Sequence, residues 1–395
     1  MYFFLLNRIS NQSFDQNRKM KIVVTKEIKE GEKRVALTPD GVKSLVKAGF
    51  ECCVETGAGT DSFISDEQYA KTGATLSDNL SELMSQGDVF LKVNPPTAGE
   101  INKMKEGSVV ISFLYASTNA DIVKALLKKN ISSFSMDAVP RTTKAQRMDA
   151  LSSQASLGGY KAVMMGANAL GKIFPLMMTA AGTITPSKVL IFGAGVAGLQ
   201  ALATAKRLGA VVEVTDIRPG TKEEVESLGG RFLQVEGDDS VKVEGGYVKE
   251  VSEEYLLKQK EMINKHVSDA DLIITTAAVL GRKSPVLITK EMVETMKNGS
   301  VIVDLAAESG GNCALTQVGK TINHNGVSII GEGNLPGLLP QNASEMYSRN
   351  TTALLTYLAG NEGFKWEMDD EITKGCLITH KGQLIHEPTK NLLNL

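Results

Sequence analysis

Gly193, Gly195 and Gly198 stand in GxGxxG spacing inside "KVLIFGAGVAGLQALATAKRLGA", between a β-branched run and an apolar-periodic helix pattern. In that context each glycine has a job. Gly193 permits the tight turn, Gly195 lets a pyrophosphate reach the backbone, and Gly198 lets helix and sheet pack closely, so that phosphate meets a helix N-terminus. The next strand pattern, "VVEVTDIRPG", ends in Asp216, at about the 20-residue distance expected for a carboxylate that accepts hydrogen bonds from an adenosine ribose. A carboxylate there repels a 2′-phosphate, which favours NAD(H) over NADP(H). Arg218 complicates the preference, because its guanidinium could hold a phosphate or stack on the adenine.

A second segment could also touch a ligand. "RTTKAQRMDALSSQ", Arg141 to Gln154, concentrates charged, amide and hydroxyl side chains in mid-chain. With a helix starting near Lys144, Gln146, Asp149, Ser152 or Ser153, and Ser156 recur on one face. Such a stripe is either a solvated helix face or a set of groups facing a carboxamide-bearing ring.

Reduction of a ketone or imine by a dihydronicotinamide needs a proton donor as well as a hydride. The histidines, His266, His324, His380 and His386, all fall late in the chain and read as surface positions. Lys92, at the end of "VFLKV", is either a functional group or a strand-end charge facing water. Hydride passage between two nicotinamide rings needs no such donor, only positioning and exclusion of water.

The elements that must position these groups follow from pattern. From Lys21 onward, "KIVVT", "ECCVE", "VFLKV", "VVISF" and "ISSFSM" alternate with helical stretches, and "KVLIF", "VVEVT", "RFLQV", "DLIITT", "VIVDL" and "VSIIG" repeat the plan. This alternation predicts an α/β chain of two Rossmann-like, doubly wound parallel-sheet domains joined by long helices, with a cleft between them. The helices are expected from about Ala145 towards Met178 and from Ala343 to Leu358. Domain limits follow: 20–150 with 345–395 as a discontinuous N-terminal domain, and 151–344 as the NAD(H)-binding domain. The tail "DDEITKGCLITHKGQLIHEP" reads as a hairpin around Lys381 and Gly382 that returns to the first domain.

Composition excludes several classes. With 43 basic and 45 acidic residues and 5% aromatics, neither a nucleic-acid groove nor a membrane-adhesive surface is expected. Cys52, Cys53, Cys313 and Cys376 form no CxxC pair and suggest neither a disulfide nor a metal site, consistent with a reduced, cytoplasmic chain. The most apolar run, Tyr160 to Ile184, is broken by Lys161, Asn168, Lys172 and Pro175, so no spanning helix is expected. Residues 1–19 lack a basic n-region and a small-residue cleavage pattern, and read as a disordered extension.

Beyond these readings, "EIKEGEKRVALTP", "RTTKAQRMDALSSQASLGGYKAV", "FGAGVAGLQA", "DIRPGTKEEVESLGG", "VIVDLAAESGGNC" and "DDEITKG" together resemble the soluble NAD(H)-binding component of the proton-translocating NAD(P) transhydrogenase family, which is related to alanine dehydrogenase. The resemblance runs over nearly everything after Met20. It implies that Arg141, Gln146 and Asp149, with Ser152 beside them, orient a dihydronicotinamide for a partner's ring, although relatives often read "RISRAQ" where this chain has "RTTKAQ". It further implies dinucleotide contacts at Val196, Asp216, Ile217 and Arg218, and at Gly246, Gln259 and Ala278. Also implied are NADP(H) on a partner domain, a membrane-spanning component on another chain, peripheral attachment to the inner membrane, and a homodimer. Alanine dehydrogenase uses an arginine, a lysine, a histidine and an aspartate; the matching positions hold Arg34, Lys92, Tyr115 and Glu308, so the proton-transfer histidine is missing. Two other readings stay open: an amino-acid dehydrogenase using Lys92 and Arg34, and a non-catalytic NAD-binding module.

Overall fold

The computed structural model describes residues 19–235, 242–244, 247–250, 253–278, 283–360 and 363–393. The extension expected over 1–19 therefore lies outside the described residues, Lys19 excepted. Two compact units are formed: unit 1 from residues up to Ile28, Arg34–Asp149 and Tyr347 onward, and unit 2 from Lys29–Lys33 and Ala150–Met346.

In unit 1, β1 (Lys21–Val24), β2 (Glu51–Glu55), β3 (Thr75–Ser77), β4 (Val89–Leu91), β5 (Val109–Ser112) and β6 (Ser132–Ser135) pair in parallel in the spatial order β3-β2-β1-β4-β5-β6. The order reverses at β1, the hallmark of a doubly wound sheet. The connecting helices are α1 (Pro39–Lys47), α2 (Asp66–Lys71), α3 (Leu80–Gln86), α4 (Ala98–Lys103) and α5 (Ala120–Lys128). Reciprocal caps fix two of their starts: Ser65 with Gln68 opens α2, and Thr97 with Glu100 opens α4. Val23, Phe90 and Val110 from the strands meet Ile101 and Leu126 from the helices in one core.

Unit 2 begins with α6 (Ala150–Ala169) and a small hairpin, β7 (Met177–Thr179) and β8 (Gly182–Ile184). Its sheet is built from β9 (Lys188–Phe192), β10 (Val211–Thr215), β11 (Arg231–Phe232), β14 (Leu272–Thr275), β15 (Val301–Asp304), β16 (Thr321–His324) and β17 (Val327–Ile330), while β12 (Lys242–Glu244) and β13 (Tyr247–Glu250) form a separate pair. The order is β11-β10-β9-β14-β15-β17-β16, with only β16 antiparallel. The period of two along each strand explains why both faces are apolar. Val189, Ile191, Val214, Ile274 and Val303 face α6 and α7 (Val196–Arg207), whereas Leu190, Phe192, Ile273 and Ile302 join Val267 of α9 (Glu253–Asp269) and Val293 of α10 (Lys290–Thr295). A short α8 (Lys222–Ser227) precedes β11.

The chain then enters α11 (Pro340–Leu358), whose residues from Tyr347 belong to unit 1, followed by β18 (Ala359–Gly360), β19 (Gly363–Phe364), α12 (Glu371–Cys376), β20 (Leu377–His380), β21 (Gln383–Leu384) and α13 (Glu387–Leu393). The tail hairpin turns at Lys381 and Gly382, both at positive φ, and β20 adds antiparallel to β6. No helix among the described residues is long and apolar enough to cross a membrane.

Two expectations need correction. The first long helix does not run from Ala145 towards Met178. It begins only at Ala150, because Gln146–Met148 form a 3-10 turn and Asp149 has ψ 85, outside the helical range; it stops at Ala169, ahead of Gly171 and Pro175. His380 is not a surface residue. It is buried, bonded to Ser132 Oγ at 3.0 Å and packed on Trp366.

Where α6 meets α7, Gly159 leaves no room for a side chain. An added Cβ at Gly159 would lie 2.1 Å from the Ala197 carbonyl oxygen, whereas one at Gly171 would meet nothing within 4 Å. Gly159→Ala should therefore destabilise unit 2 by about 1–3 kcal/mol through overpacking, against a helix-propensity gain of about 1 kcal/mol, and Gly171→Ala should be near neutral. Urea unfolding of the two variants checks this; equal midpoints would contradict the close approach of α6 and α7.

Candidate functional site

The strand-turn-helix of unit 2 has the geometry expected of a phosphate-binding turn. Gly193 has φ 101, and its N–H donates to the Thr215 carbonyl at 2.8 Å. A Cβ there would fall 2.4 Å from Thr276 Oγ1, and one at Gly198 would fall 1.8 Å from the Gly193 carbonyl oxygen. These two positions admit only glycine. Gly195, the N-cap of α7, differs: a Cβ there would meet nothing within 4 Å. Its small size leaves open space in front of the unpaired amides at the helix start, which is what an approaching pyrophosphate needs.

Asp216 closes the other side of the turn. Its Oδ2 accepts from the Ala194 N–H at 2.7 Å and from Arg218 Nη2 at 2.9 Å; its Oδ1 accepts from the Arg218 N–H at 2.8 Å and Nε at 3.0 Å. Burial pushes the carboxyl up, but the Arg218 side chain and the two amides outweigh it and hold Asp216 below the usual carboxylate range. The carboxylate is thus charged and fixed. Arg218 folds back onto Asp216. Ile217, next to the acid in the chain, is 70% exposed and Val196, at the start of α7, is 39% exposed, so both leave apolar surface open.

The remaining cofactor positions are less concentrated. Ala278 is exposed just beyond β14, its N–H bonded to the Thr276 carbonyl at 3.1 Å. Gln259 is half-buried on α9, and Gly246 lies outside the described residues.

Sequence reasoning missed the residues that shape the loop after β14. Asp304, fully buried at the end of β15, accepts from Thr275 Oγ1, Thr316 Oγ1 and the amides of Ala306, Asn312 and Cys313. It thereby seats Asn312, whose side chain grips Ala277 from both ends, accepting from its N–H at 3.0 Å and donating to its carbonyl at 2.9 Å. The signal was present in "VIVDLAAESGGNC": an acid ending an apolar strand, ahead of two glycines. Gly311 tolerates no Cβ, which would lie 2.9 Å from Asp304 Oδ2.

The polar segment divides at the unit boundary. Arg141, Gln146 and Asp149 belong to unit 1, and Ser152 is the third residue of α6 in unit 2. The single helical stripe expected from spacing is therefore not formed, because Gln146 sits in the 3-10 turn and Asp149 in the non-helical residue after it. Ser153 and Ser156 spend their hydroxyls on the carbonyls of Ala150 and Ser152. Thr142 Oγ1 is buried without a hydrogen-bond partner, an unfavourable arrangement for a hydroxyl.

Of the dehydrogenase positions, Lys92 is the most informative. Its ammonium lies 2.9 Å from Glu100 Oε1, 3.8 Å from Glu27 Oε1 and 3.1 Å from Thr25 Oγ1, with its side chain 3% exposed. Glu100 is aimed at it by the cap of α4, since its Oε2 takes the Thr97 N–H at 2.8 Å. Burial pushes the Glu27 carboxyl up, opposed by Lys92 and the amides of Val93 and Asn94. Arg34 is buried, Tyr115 is at φ 45 and stacked on Phe113, and in unit 2 Glu308 pairs with Lys29.

Comparison with known proteins agrees with this architecture. The N-terminal domain of alanine dehydrogenase/PNT matches residues 23–158 and its C-terminal domain matches residues 162–387. The chain is 46% identical over 377 residues to a Rhodospirillum rubrum protein named as the first portion of NAD(P) transhydrogenase subunit alpha, covering 93% of this chain and 98% of that one. A transhydrogenase structure from Sinorhizobium meliloti matches with a TM-score of 0.85 at 41% identity, covering 92% of this chain and all of the other. Alanine dehydrogenase 2 of Staphylococcus aureus is more distant, at 29% identity over 93% of this chain and 95% of its own length. A nicotinamide-nucleotide turn on the second of two doubly wound sheets, matched along nearly the whole chain, makes this protein a member of the alanine dehydrogenase/PNT family of oxidoreductases.

Proposed function

We propose that this chain is the NAD(H)-holding component of a proton-translocating transhydrogenase: NADH held on unit 2 gives its hydride directly to NADP+ held by a separate NADP(H)-binding domain. A membrane-spanning component on another chain couples the step to proton movement, so the chain works in the cytoplasm, attached peripherally to the inner membrane. Residues 151–344 serve as the nucleotide-binding domain. Gly193 and Gly198 shape the turn, Gly195 lets the pyrophosphate reach the start of α7, and Val196, Asp216, Ile217 and Arg218 contact the dinucleotide, with Gly246, Gln259 and Ala278 as further contacts. For the ribose to reach Asp216, the half-exposed guanidinium of Arg218 swings aside while the Ala194 amide keeps the carboxylate in place. Arg141 and Gln146 fix the carboxamide, and Asp149 and Ser152 limit the swing of the ring.

The observation that carries this reading is the state of Lys92. An amino-acid dehydrogenase needs a group that exchanges a proton with its substrate; the position of that family's proton-transfer histidine holds Tyr115, and Lys92, the other candidate, is buried between two carboxylates. Hydride transfer between two nicotinamides makes no such demand. Purified chain mixed with an NADP(H)-binding transhydrogenase component should reduce an oxidised NAD analogue with NADPH, and should not oxidise NADH with a small keto acid and ammonia. The reverse pattern would sink the proposal, and nucleotide binding with neither activity would favour a non-catalytic module.

Gln146→Asn, which shortens the side chain but keeps the amide, should slow transfer roughly tenfold with little change in nucleotide affinity, read by single-turnover mixing and equilibrium binding. A homodimer is supported by the β7–β8 hairpin, whose six strand residues are all exposed and include Met177, Met178 and Ile184, next to exposed Leu176. Met178→Glu should shift the sedimenting species towards monomer; an undisturbed dimer would show that this hairpin lies outside the interface.

A further inference from the structure

The segment that carries Arg141, Gln146 and Asp149 is tied to the C-terminal part of unit 1 at three points. Lys144 Nζ lies 3.0 Å from Asp370 Oδ1 and 4.9 Å from the centre of the Tyr357 ring. Asn350 Nδ2 donates to the Arg147 carbonyl at 2.9 Å. Gly375 lets α12 approach Pro140, since a Cβ there would fall 2.9 Å from Pro140 Cδ.

The first tie is built on a fixed partner. Asp370 caps α12, its Oδ2 accepting from the amides of Ile372 and Thr373 and from Thr373 Oγ1, while its Oδ1 accepts from Tyr357 OH at 2.6 Å. Burial pushes this carboxyl up, but Tyr357, the Thr373 amide and Lys144 hold it well below the usual carboxylate range. Its side chain is 12% exposed against 57% for Lys144. A lysine gripping a carboxylate from the solvent side adds little to global stability, because water screens it. Its value is geometric: Asp370 cannot move without uncapping α12, so Lys144 inherits a fixed address.

We propose that Lys144 is a positioning residue: clipped to Asp370 and Tyr357, it holds the turn bearing Gln146 in the place from which hydride transfer proceeds, without touching the nucleotide. This rests on the function proposed above. Hydride transfer is sensitive to such placement, since a misalignment of about 1 Å can cost up to a hundredfold in rate.

Lys144→Gln and Lys144→Arg in the full chain test it with two readouts. The first, made on the chain alone, is hydrogen exchange at Ala145, Gln146 and Met148, whose N–H groups donate to the carbonyls of Thr142, Thr143 and Ala145. The second is the transfer rate with the NADP(H)-binding component, set against the dissociation constant for NADH. For Lys144→Gln we expect exchange at these amides to rise roughly tenfold and transfer to fall roughly tenfold, with NADH affinity changed less than about twofold. Lys144→Arg should restore both. Unchanged exchange in Lys144→Gln, a loss of affinity equal to the loss of rate, or no rescue by arginine would each overturn the proposal. A wild-type chain that transfers no hydride would count against the function itself, while exchange would still judge the clip.

Discussion

The close approach of α7 to the end of β9 governs the rest of unit 2. With 1.8 Å between a would-be methyl at position 198 and the Gly193 carbonyl, the helix can start there only because that methyl is absent. Seating α7 in this way brings its free amides to the C-terminal edge of the sheet and directs the Ala194 N–H at Asp216. On its other side, Ala197 presents its carbonyl to Gly159, so the same contact sets where α6 lies and, through it, where Ser152 begins. One steric constraint thus reaches from the dinucleotide turn to the helix that follows the polar segment.

A second constraint is electrostatic and bears on the proposed chemistry. Lys92 and Arg34 are the residues through which the chain most resembles an amino-acid dehydrogenase, yet Lys92 is held by a carboxylate that the cap of α4 orients. Parting a buried ammonium from such a partner is strongly unfavourable. The histidines offer no substitute: His266 is bonded to Glu213, His324 to Glu294, His380 to Ser132 and His386 to Thr389. In the proposed function, positioning carries the burden that acid catalysis carries elsewhere. In that light the ties on the segment from Pro140 to Arg147 take on functional weight.

Much of the fold was legible because parallel strands buried on both faces write themselves as short β-branched runs, and Gly193, Gly195 and Gly198 with Asp216 form a local code for a turn whose geometry is also local. The sequence reading failed where tertiary contacts override the local pattern. Periodicity extended α6 back to Lys144, but Asp149 leaves the helical range and splits the stripe. His380 reads as polar tail, yet β20 pairs with β6 and buries it. Asp304 and Asn312 act across as many as 35 residues of chain, and Lys144 finds its partner 226 residues away. Separations of that size leave no periodic trace.

The most direct test of the account follows the transferred atom. NADH deuterated at the reactive carbon, on the face that is transferred, should be mixed with the chain, the NADP(H)-binding component and NADP+, and the NADPH formed should be weighed by mass spectrometry. Direct passage between rings predicts that the product retains the deuterium in full and that none appears in water. Washout of the label, or a requirement for a small keto acid before NADH is oxidised, would contradict it.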